Sequence, residues 1–397
     1  MHATSAASPC DSPQRSPPSL IELFFAFLRL GAVSFGGPAM VATIKRLAVT
    51  RKGWLSEQEF QQGVGLCQAV PGSTAMQAAA YVGLRARRKW GAAAAFVGFG
   101  LPAFTLMLML SVAYQHAASI PRVTSVLTGL RALVVALVAH AAWSFGRSAV
   151  KSVKEGALAL LTATLFFIGA SPILILLGAA LVGAIALRRS APTETAPARP
   201  NWSEMLKGAA PLLLFVFALV VAFFAGQRQL ASLGLSMMKV DLFAFGGGLA
   251  SLPIMYREAV QLHHWVSPSV FMDGIALGQA TPGPIIITAT FIGHEVAGLA
   301  GAVVATACIF APSLAILLVA EPWFQRFHRS RIFAGMTTAL VLTFVGLLAS
   351  VTLQLARGAS WNLASVPLAL AALAALLAKV EVVWIVLVGA AISAMVF

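Results

Sequence analysis

Long apolar runs alternate with short polar connections along the whole chain. They begin in the first half near Phe24, Gln62, Ala92, Thr124, Gly156 and Ile173, and in the second half near Ala231, Val270, Gly298, Ile332, Leu363 and Val382. One further run, Gly208 to Gly226, lies between the two sets. A helix of about 20 apolar residues is long enough to cross the hydrocarbon core of a bilayer. The pattern predicts an all-α polytopic membrane protein with about 13 membrane segments.

The same pattern divides the chain into four parts. Residues 1–19 are rich in Ser, Pro and Ala, and we expect a disordered tail rather than a signal peptide. Residues 20–187 and residues 230–397 hold the two sets of apolar runs. Residues 188–229 hold a polar linker followed by the single connecting span.

The two halves are related to each other in sequence. A shift of about 210 residues aligns them. It matches Arg29 with Lys239, Phe35-Gly36-Gly37 with Phe245-Gly246-Gly247, and the stretch Gln68 to Gly72 with Gln279 to Gly283. Because about seven segments separate matching positions, and seven is odd, the halves should enter the membrane in opposite directions. The sequence therefore predicts an inverted-topology repeat.

Composition agrees with a membrane protein. Hydrophobic residues make up 59% of the chain and charged residues 10%, and the mean hydropathy is +0.88, which leaves too little polar surface for a soluble globule. The formal net charge of +14 fits the basic cytoplasmic loops of such proteins better than a nucleic-acid partner. The three cysteines are scattered and indicate neither a zinc site nor a disulfide framework.

The distribution of basic residues predicts the orientation. Alternate loops place about 17 basic residues on the side of the N-terminus and about 7 on the other, so the N-terminal side should be cytoplasmic. One loop with Lys45, Arg46, Arg51 and Lys52 contradicts this bias. If the first two segments are re-entrant hairpins, that loop returns to the cytoplasmic side and the span count changes.

Glycine and proline interrupt apolar segments at matching places in both halves. A glycine within a helix costs roughly 0.5 to 1 kcal/mol relative to alanine, and proline removes a backbone donor. Broken or re-entrant helices persist in a membrane where they are buried or line a cavity. A new helix N-terminus there exposes N–H groups that can bind an anion. The alternative is that these residues serve only close helix packing.

The candidate substrate-binding residues lie at these interruptions. In the first half they are Arg29, Ser34, Phe35, Gly36, Gly37, Gln68, Pro71, Gly72 and Ser73; in the second half they are Lys239, Phe245, Gly246, Gly247, Gly248, Gln279, Thr281, Pro282 and Gly283. The two cations suit a dianion at a pseudo-symmetric centre. Alternatively they extend toward lipid headgroups, with Asp241 neutralising Lys239.

Four other polar residues within the apolar segments are candidates for ion coupling or for the transport pathway: Arg131, His140, Asp241 and Glu258. A single intramembrane histidine is more often a hydrogen-bonded structural group. We expect Glu258, Asp273, Glu295 and Glu321 near segment ends, each more often a solvated or interfacial charge than a proton carrier. The sequence contains neither a zinc-protease HExxH motif nor a nucleotide phosphate loop, so we predict no metal and no cofactor.

Several stretches in order resemble the chromate ion transporter family in its long two-domain bacterial form. The first half carries "FLRLGAVSFGGP", "WLSEQEF" and "LCQAVPG"; the second carries "FAFGGG", "WVSPSVF" and "GQATPGPIIITATFIG". The first half departs from the family pattern at Met40 and Val41, where a histidine is common, and at "PGST", which replaces Pro-Gly-Pro. The resemblance implies an inner-membrane carrier that exports chromate by secondary transport, with sulfate as a structural look-alike.

Three functions follow for testing. The first is chromate efflux through a site where the interruptions converge near the membrane midplane, with access alternating as one repeat rocks against the other. The second is uptake or exchange of sulfate or another oxyanion. The third, from another class, is a membrane-embedded enzyme acting on a lipid phosphate, although clustered acid and base groups are missing. We therefore expect a carrier and not an enzyme, with the bilayer as its surroundings and a homodimer left open.

Overall fold

The computed structural model describes residues 18–117, 120–186, 226–323 and 330–396, and every regular element within these ranges is helical. The first half contains α1 (Leu20–Val33), α2 (Gly37–Lys45), α3 (Glu57–Ala69), α4 (Thr74–Ala117), α5 (Pro121–Ala149), α6 (Val153–Phe167) and α7 (Pro172–Ala186). The second contains α8 (Arg228–Leu242), α9 (Leu252–Tyr256), α10 (Pro268–Ala280), α11 (Thr288–Ala320), α12 (Arg331–Gly358), α13 (Ser365–Leu377) and α14 (Val382–Val396). Most of the predicted tail, and all but the last residue of the connecting span, lie outside the described ranges.

The first predicted segment is a re-entrant hairpin. Helix α1 has 14 residues, which is about 21 Å and shorter than a bilayer core. After the break at Ser34 to Gly36, α2 and a π-helical turn, Arg46–Arg51, lead back. Lys52 Nζ then lies 2.8 Å from Glu22 Oε1 in the first turn of α1. The chain has returned to the side from which it entered.

The second predicted segment is also a hairpin. Helix α3 begins at a capping box formed by Ser56 and Glu59, and the first arm of α4, residues 74–86, runs back beside it. Arg85 Nη2 lies 3.0 Å from Glu59 Oε1, so the hairpin base is closed by an ion pair. The non-helical backbone at Arg87 and Arg88 then reverses the chain into a long second arm, residues 89–117.

The second half repeats this arrangement. Helices α8 and α9 flank the triple-glycine break, with a 3₁₀ turn, Gly248–Ser251, before α9 and a π-helical turn, Arg257–Leu262, after it. Helix α10 is capped by Ser267, which matches Ser56 of α3. A 3₁₀ turn, Ile285–Ile287, leads into α11, which reverses at Ala297 and Gly298 as α4 does at Arg87 and Arg88.

Contacts between the halves confirm the inverted repeat. Glu321, at the end of the long arm of α11, lies 3.6 Å from Arg85 at the base of the first half's hairpins. Gln115, at the end of the long arm of α4, donates to Glu295 at the base of the second half's hairpins, at 3.4 Å. Each long arm therefore ends beside the hairpin base of the other half, so the two sets of hairpins enter from opposite sides.

Among the described residues, four helices are long and apolar enough to cross a membrane: Thr74–Ala117, Pro121–Ala149, Ile285–Ala320 and Arg331–Gly358. In Thr74–Ala117 and Ile285–Ala320, the part long enough to cross is the second arm, which follows the chain reversal. The predicted segments are thus in the expected places, but the first two of each half are hairpins of two short helices. This resolves the charge conflict, because the loop at Lys52 lies on the side where α1 begins. Arg257, in the matching loop of the second half, lies on the opposite side from Lys52. There it donates to Gly169 and Ala170 in the α6–α7 turn.

The hairpin reversals generate a first test. A Cβ atom added at Gly83 would collide with the backbone of Gly91, and one added at Gly293 would collide with the backbone of Gly301. We expect Gly83→Ala and Gly293→Ala each to destabilise the protein by roughly 1–3 kcal/mol, as overpacking does, and to lower its thermal unfolding temperature in detergent.

Gly178→Ala is the matched control, since a Cβ atom at this helical position in α7 meets nothing within 4 Å. Equal unfolding temperatures for all three variants would contradict the close crossing of the hairpin arms.

Candidate functional site

The four helix breaks meet at the centre of the molecule. We call this region the central junction and define it as residues 34–37, 71–74, 244–248 and 281–285. Gly72 N–H donates to Ala244 C=O at 2.9 Å, and Gly283 N–H donates to Ser34 C=O at 2.8 Å. The two hydrogen bonds join matching positions of opposite halves. The Pro-Gly corner of each half is therefore bonded to the glycine break of the other half.

Five of the seven glycines at the junction have backbone angles that other residues adopt only with strain. φ is positive at each: +76° at Gly36, +118° at Gly72, +105° at Gly246, +96° at Gly247 and +112° at Gly283. Close packing adds a second requirement at the two corners. A Cβ atom at Gly72 would collide with the Ser313 hydroxyl, and one at Gly283 with the Ala103 side chain. At these two corners glycine is needed because φ is positive and because a side chain would collide with neighbouring atoms.

Helix N-termini from both halves face the junction. The returning arm of every hairpin begins at its break: α2 at Gly37, α4 at Thr74, and the 3₁₀ turns before α9 and α11 at Gly248 and Ile285. The first N–H groups of a helix have no partner within it, and the helix dipole makes this end positive. The four arms thus present backbone donors to one region.

The breaks also lie close to one another. The Cβ position of Gly248 is 3.7 Å from the Ile285 nitrogen, and that of Gly247 is 3.7 Å from Thr74 Oγ1. The backbone at Gly36 and Gly246 is exposed, and no atom lies within 4 Å of the Cβ position of Gly36. The donors therefore surround accessible backbone, which is an arrangement suited to an anion.

The predicted hydroxyl and amide side chains differ in their burial and in their hydrogen-bond partners. Ser34 is 3% exposed, and its hydroxyl has no hydrogen-bond partner among the described residues. Thr281 donates to Gly278 C=O and caps α10. Gln279 faces Leu133 and Leu376 in a small apolar cavity, away from the exposed backbone, whereas its repeat equivalent Gln68 is exposed on α3. At the junction, Ser34 carries the buried hydroxyl that has no partner within the described ranges.

The two matched cations also differ. Lys239 Nζ lies 3.5 Å from Glu258 Oε2, and Glu258 accepts a hydrogen bond from Ser236 Oγ at 2.6 Å. Arg29 lines an open groove of about 590 Å³ between α1 and the π-helical turn, together with Arg51 and Lys52. Lys239 is therefore paired with a carboxylate, while Arg29 lies in a groove that also holds Glu22, the partner of Lys52.

Asp241 does not pair with Lys239, contrary to the alternative considered from the sequence. It is fully buried, and its two oxygens accept hydrogen bonds from Ser313 Oγ at 2.8 Å and Ser313 N–H at 2.7 Å. Ser313 Oγ in turn accepts from Ser73 N–H at 3.1 Å. The sequence analysis missed Ser313, although its neighbour Pro312 and the matching Pro102 mark the position.

Arg131 belongs to a buried ion pair that ties the two halves together. Its Nε and Nη2 atoms each lie 2.7 Å from an oxygen of Asp273, and Tyr114 donates to the same carboxylate at 2.9 Å. The expectation that Asp273 is an interfacial charge was wrong, because α10 is a re-entrant helix enclosed by protein and Asp273 has no exposed surface. His140 lies partly buried on α5. Within the described ranges no group of three or more metal-ligating side chains was found.

Comparisons with known proteins bear on the site. The profile of the family described as "Chromate transporter" matches residues 21–184 and 231–394. The chain is 39% identical over 353 residues to an uncharacterized transporter of Methanocaldococcus jannaschii, with 88% of each chain covered. It is 30% identical to the chromate transport protein of Cupriavidus metallidurans, covering 90% of this chain and 88% of the relative. The chromate transport protein of Pseudomonas aeruginosa is also 30% identical, covering 89% and 85%. No solved structure matches the chain.

The unequal hydroxyl partners generate a second test. Ser34→Ala removes a buried hydroxyl that has no partner among the described residues, so we expect unchanged or slightly higher stability. Ser313→Ala removes a hydroxyl that bonds Asp241 and Ser73, so we expect a loss of roughly 1–3 kcal/mol.

The measurement is thermal unfolding of both purified variants in the same detergent. A Ser34→Ala variant as unstable as Ser313→Ala would mean that the Ser34 hydroxyl has a structural partner and is not a ligand for a substrate.

Proposed function

The chain belongs to the chromate transporter family, and from this premise we propose that it is a secondary transporter that exports chromate from the cell. The substrate binds at the central junction. Relatives named as chromate transport proteins are matched along 85% or more of their length, so the proposal concerns the whole chain and not a fragment of it.

One observation carries the proposal: helix N-termini from both halves converge on exposed glycine backbone. Chromate is a tetrahedral dianion whose four oxygens accept hydrogen bonds. Backbone N–H groups at positive helix ends can contact several of these oxygens at once without a bulky side chain in between. The described junction residues offer N–H and hydroxyl groups, and the buried Ser34 hydroxyl is available as a further donor.

Arg29 is proposed as the cation that attracts the dianion. It lies five residues before Ser34 on α1, and its groove also holds Arg51 and Lys52. Lys239 contributes less net charge because Glu258 lies next to it. The groove is therefore the proposed approach to the junction from the side on which α1 begins.

Sulfate has the same shape and charge as chromate, so we propose it as a competitor for the same site. The alternative of sulfate or other oxyanion uptake or exchange uses the same geometry and differs in direction. A lipid-phosphate enzyme is less well supported, because the described groups at the junction are donors rather than an acid and base pair.

Alternating access is proposed to arise from motion of one half against the other. The hairpins of the two halves enter from opposite sides. The hairpins of one half therefore lie between the junction and one membrane surface, and those of the other half lie between the junction and the other surface. The hydrogen bonds from Gly72 to Ala244 and from Gly283 to Ser34 link the halves at the point where this motion must pivot.

The proposed location is the bacterial inner membrane, in a multi-pass arrangement with the N-terminus in the cytoplasm. Support comes from basic residues on the side where α1 begins. The loop ending at Lys52 pairs with Glu22 there, and Arg85 and Arg87 lie at the base of the second hairpin, where Arg87 donates to Pro18 C=O. Cytoplasmic loops of membrane proteins are enriched in such residues.

Transport by an Arg29 variant tests the proposal. We expect cells that produce the protein to accumulate less chromate than cells with an empty vector. In inverted membrane vesicles, Arg29→Gln should raise the KM for chromate by about tenfold, which corresponds to about 1.4 kcal/mol, because a charge-assisted contact is lost. Arg29→Lys should keep part of the affinity.

The matched control is Arg357→Gln, which removes a cation that lies over the Phe167 ring, outside the junction and the Arg29 groove. All variants are compared at equal membrane abundance and with sulfate added as competitor. Equal chromate accumulation in cells with and without the protein would contradict export. Uptake of sulfate into cells in the absence of chromate would favour the alternative function, sulfate uptake.

A further inference from the structure

The buried carboxylate of Asp241 has no counter-ion among the described residues. Its two hydrogen-bond donors both belong to Ser313. An ionised carboxylate without a cation, removed from water and at membrane depth, is costly, and such residues are usually functional. A role in binding a proton would account for its presence.

One hydroxyl group separates this carboxylate from the central junction. Ser313 Oγ donates to Asp241 and accepts from Ser73 N–H, the residue after the Pro71-Gly72 corner. The same oxygen fills the space in which a side chain at Gly72 would lie. A change of charge on Asp241 therefore changes the hydrogen bonding of Ser313, which contacts the Pro71-Gly72 corner.

Other titratable groups lie on the elements around α8. They are Lys239 on α8 itself, Tyr256 on α9, Arg257, Glu258, His263 and His264 after α9, His294, Glu295 and Cys308 on α11, Cys67 on α3, and Tyr81 and Arg85 on α4. Within the described ranges none of them is hydrogen-bonded or ion-paired to Asp241. Lys239, two residues away, is paired with Glu258. The described charged groups around α8 therefore form their contacts without Asp241.

We infer that Asp241 is a proton-binding site whose protonation is coupled to anion binding at the central junction, an inference that rests on the proposed function. In the ionised state the Ser313 hydroxyl hydrogen is held by Asp241. When a proton binds to the carboxylate, the new O–H group donates to Ser313 Oγ. The Ser313 hydroxyl hydrogen then turns toward the corner and donates to the anion. Ser313 stays neutral, and the added proton remains on Asp241.

Both effects of the proton favour the anion. The proton removes a negative charge near the junction and frees a hydrogen-bond donor for an anion oxygen. The coupling is reciprocal, so the anion also raises the affinity for the proton. The matching positions of the first half are Gly31 and Ala103, which cannot bind a proton. The carrier therefore takes up one proton with each anion at this site.

Chromate binding to the purified full-length chain tests the inference. Dissociation constants are measured from about pH 6 to about pH 8 for the unchanged protein, for Asp241→Asn, which resembles the protonated state, and for Glu155→Gln. Glu155 is also a buried carboxylate, but it lies in the first turn of α6, outside the junction, and accepts from Lys151 N–H. The ratio between two proteins at one pH cancels the protonation of chromate itself.

We expect the dissociation constant of the unchanged protein, relative to Asp241→Asn, to rise by up to about tenfold per pH unit toward alkaline pH. The ratio to Glu155→Gln should stay constant. Ser313→Ala should bind chromate more weakly at every pH and keep the pH dependence, because it loses the donor but not the titrating group.

A ratio to Asp241→Asn that does not change with pH would overturn the inference while leaving the proposed function intact. If Asp241→Asn does not fold, proton uptake by the unchanged protein on adding chromate at about pH 8 decides: up to one proton per anion supports the inference, and none overturns it. Absence of chromate binding at any pH would overturn the proposed function, and the inference with it.

Discussion

Backbone N–H and C=O groups inside a membrane must find partners within the protein, and the central junction depends on this constraint. Each half breaks its helices twice at a depth where lipid offers no hydrogen bonds. The bonds from Gly72 to Ala244 and from Gly283 to Ser34 satisfy groups of one half with groups of the other. The breaks are therefore stable only when both halves are present. The proposed anion site at the helix ends depends on the same bonds, because they bring the four breaks together.

The long arms extend this dependence to the membrane surfaces. The arm of α11 ends at Arg85 and the arm of α4 ends at Glu295, so each half supports the hairpin base of the other. The Arg131–Asp273 pair adds a buried link between α5 and α10, with both donor atoms of the guanidinium in use. Removing one partner of such a pair leaves an uncompensated charge, which costs far more than the pair itself contributes. Any motion of one half against the other must therefore keep these contacts, or break them together and replace them with others.

The sequence was sufficient to predict the repeat, its inversion and the meeting of the breaks. Matching breaks of two inverted halves are related by a common axis, and broken helices need partners inside the protein. Hydropathy could not distinguish a spanning helix from a hairpin of two short helices, since both contain a similar length of apolar chain. The basic loop at Lys52 was the signal that favoured the hairpin. The partners of Lys239 and Asp241 could not be read from spacing. Residues two apart on a helix do not face each other, so the two side chains point to different neighbours. Asp273 was misplaced for a related reason, as burial by the opposite half leaves no local pattern.

The backbone of the two halves is nearly symmetric, but their side chains are not. Glycine breaks and helix starts recur in both halves, so the donors for an anion come from the duplicated scaffold. Buried carboxylates in the hairpins occur in the second half alone among the described residues; of these, Asp241 matches Gly31, and Glu258 matches Leu47. In a carrier with two identical halves the states open to either side would have equal free energy. Unequal charges break that equality, since burying Asp241 and Glu258 costs free energy in one half and not in the other. The asymmetry therefore lies where it can bias the populations of the two states without changing the proposed donors for the anion.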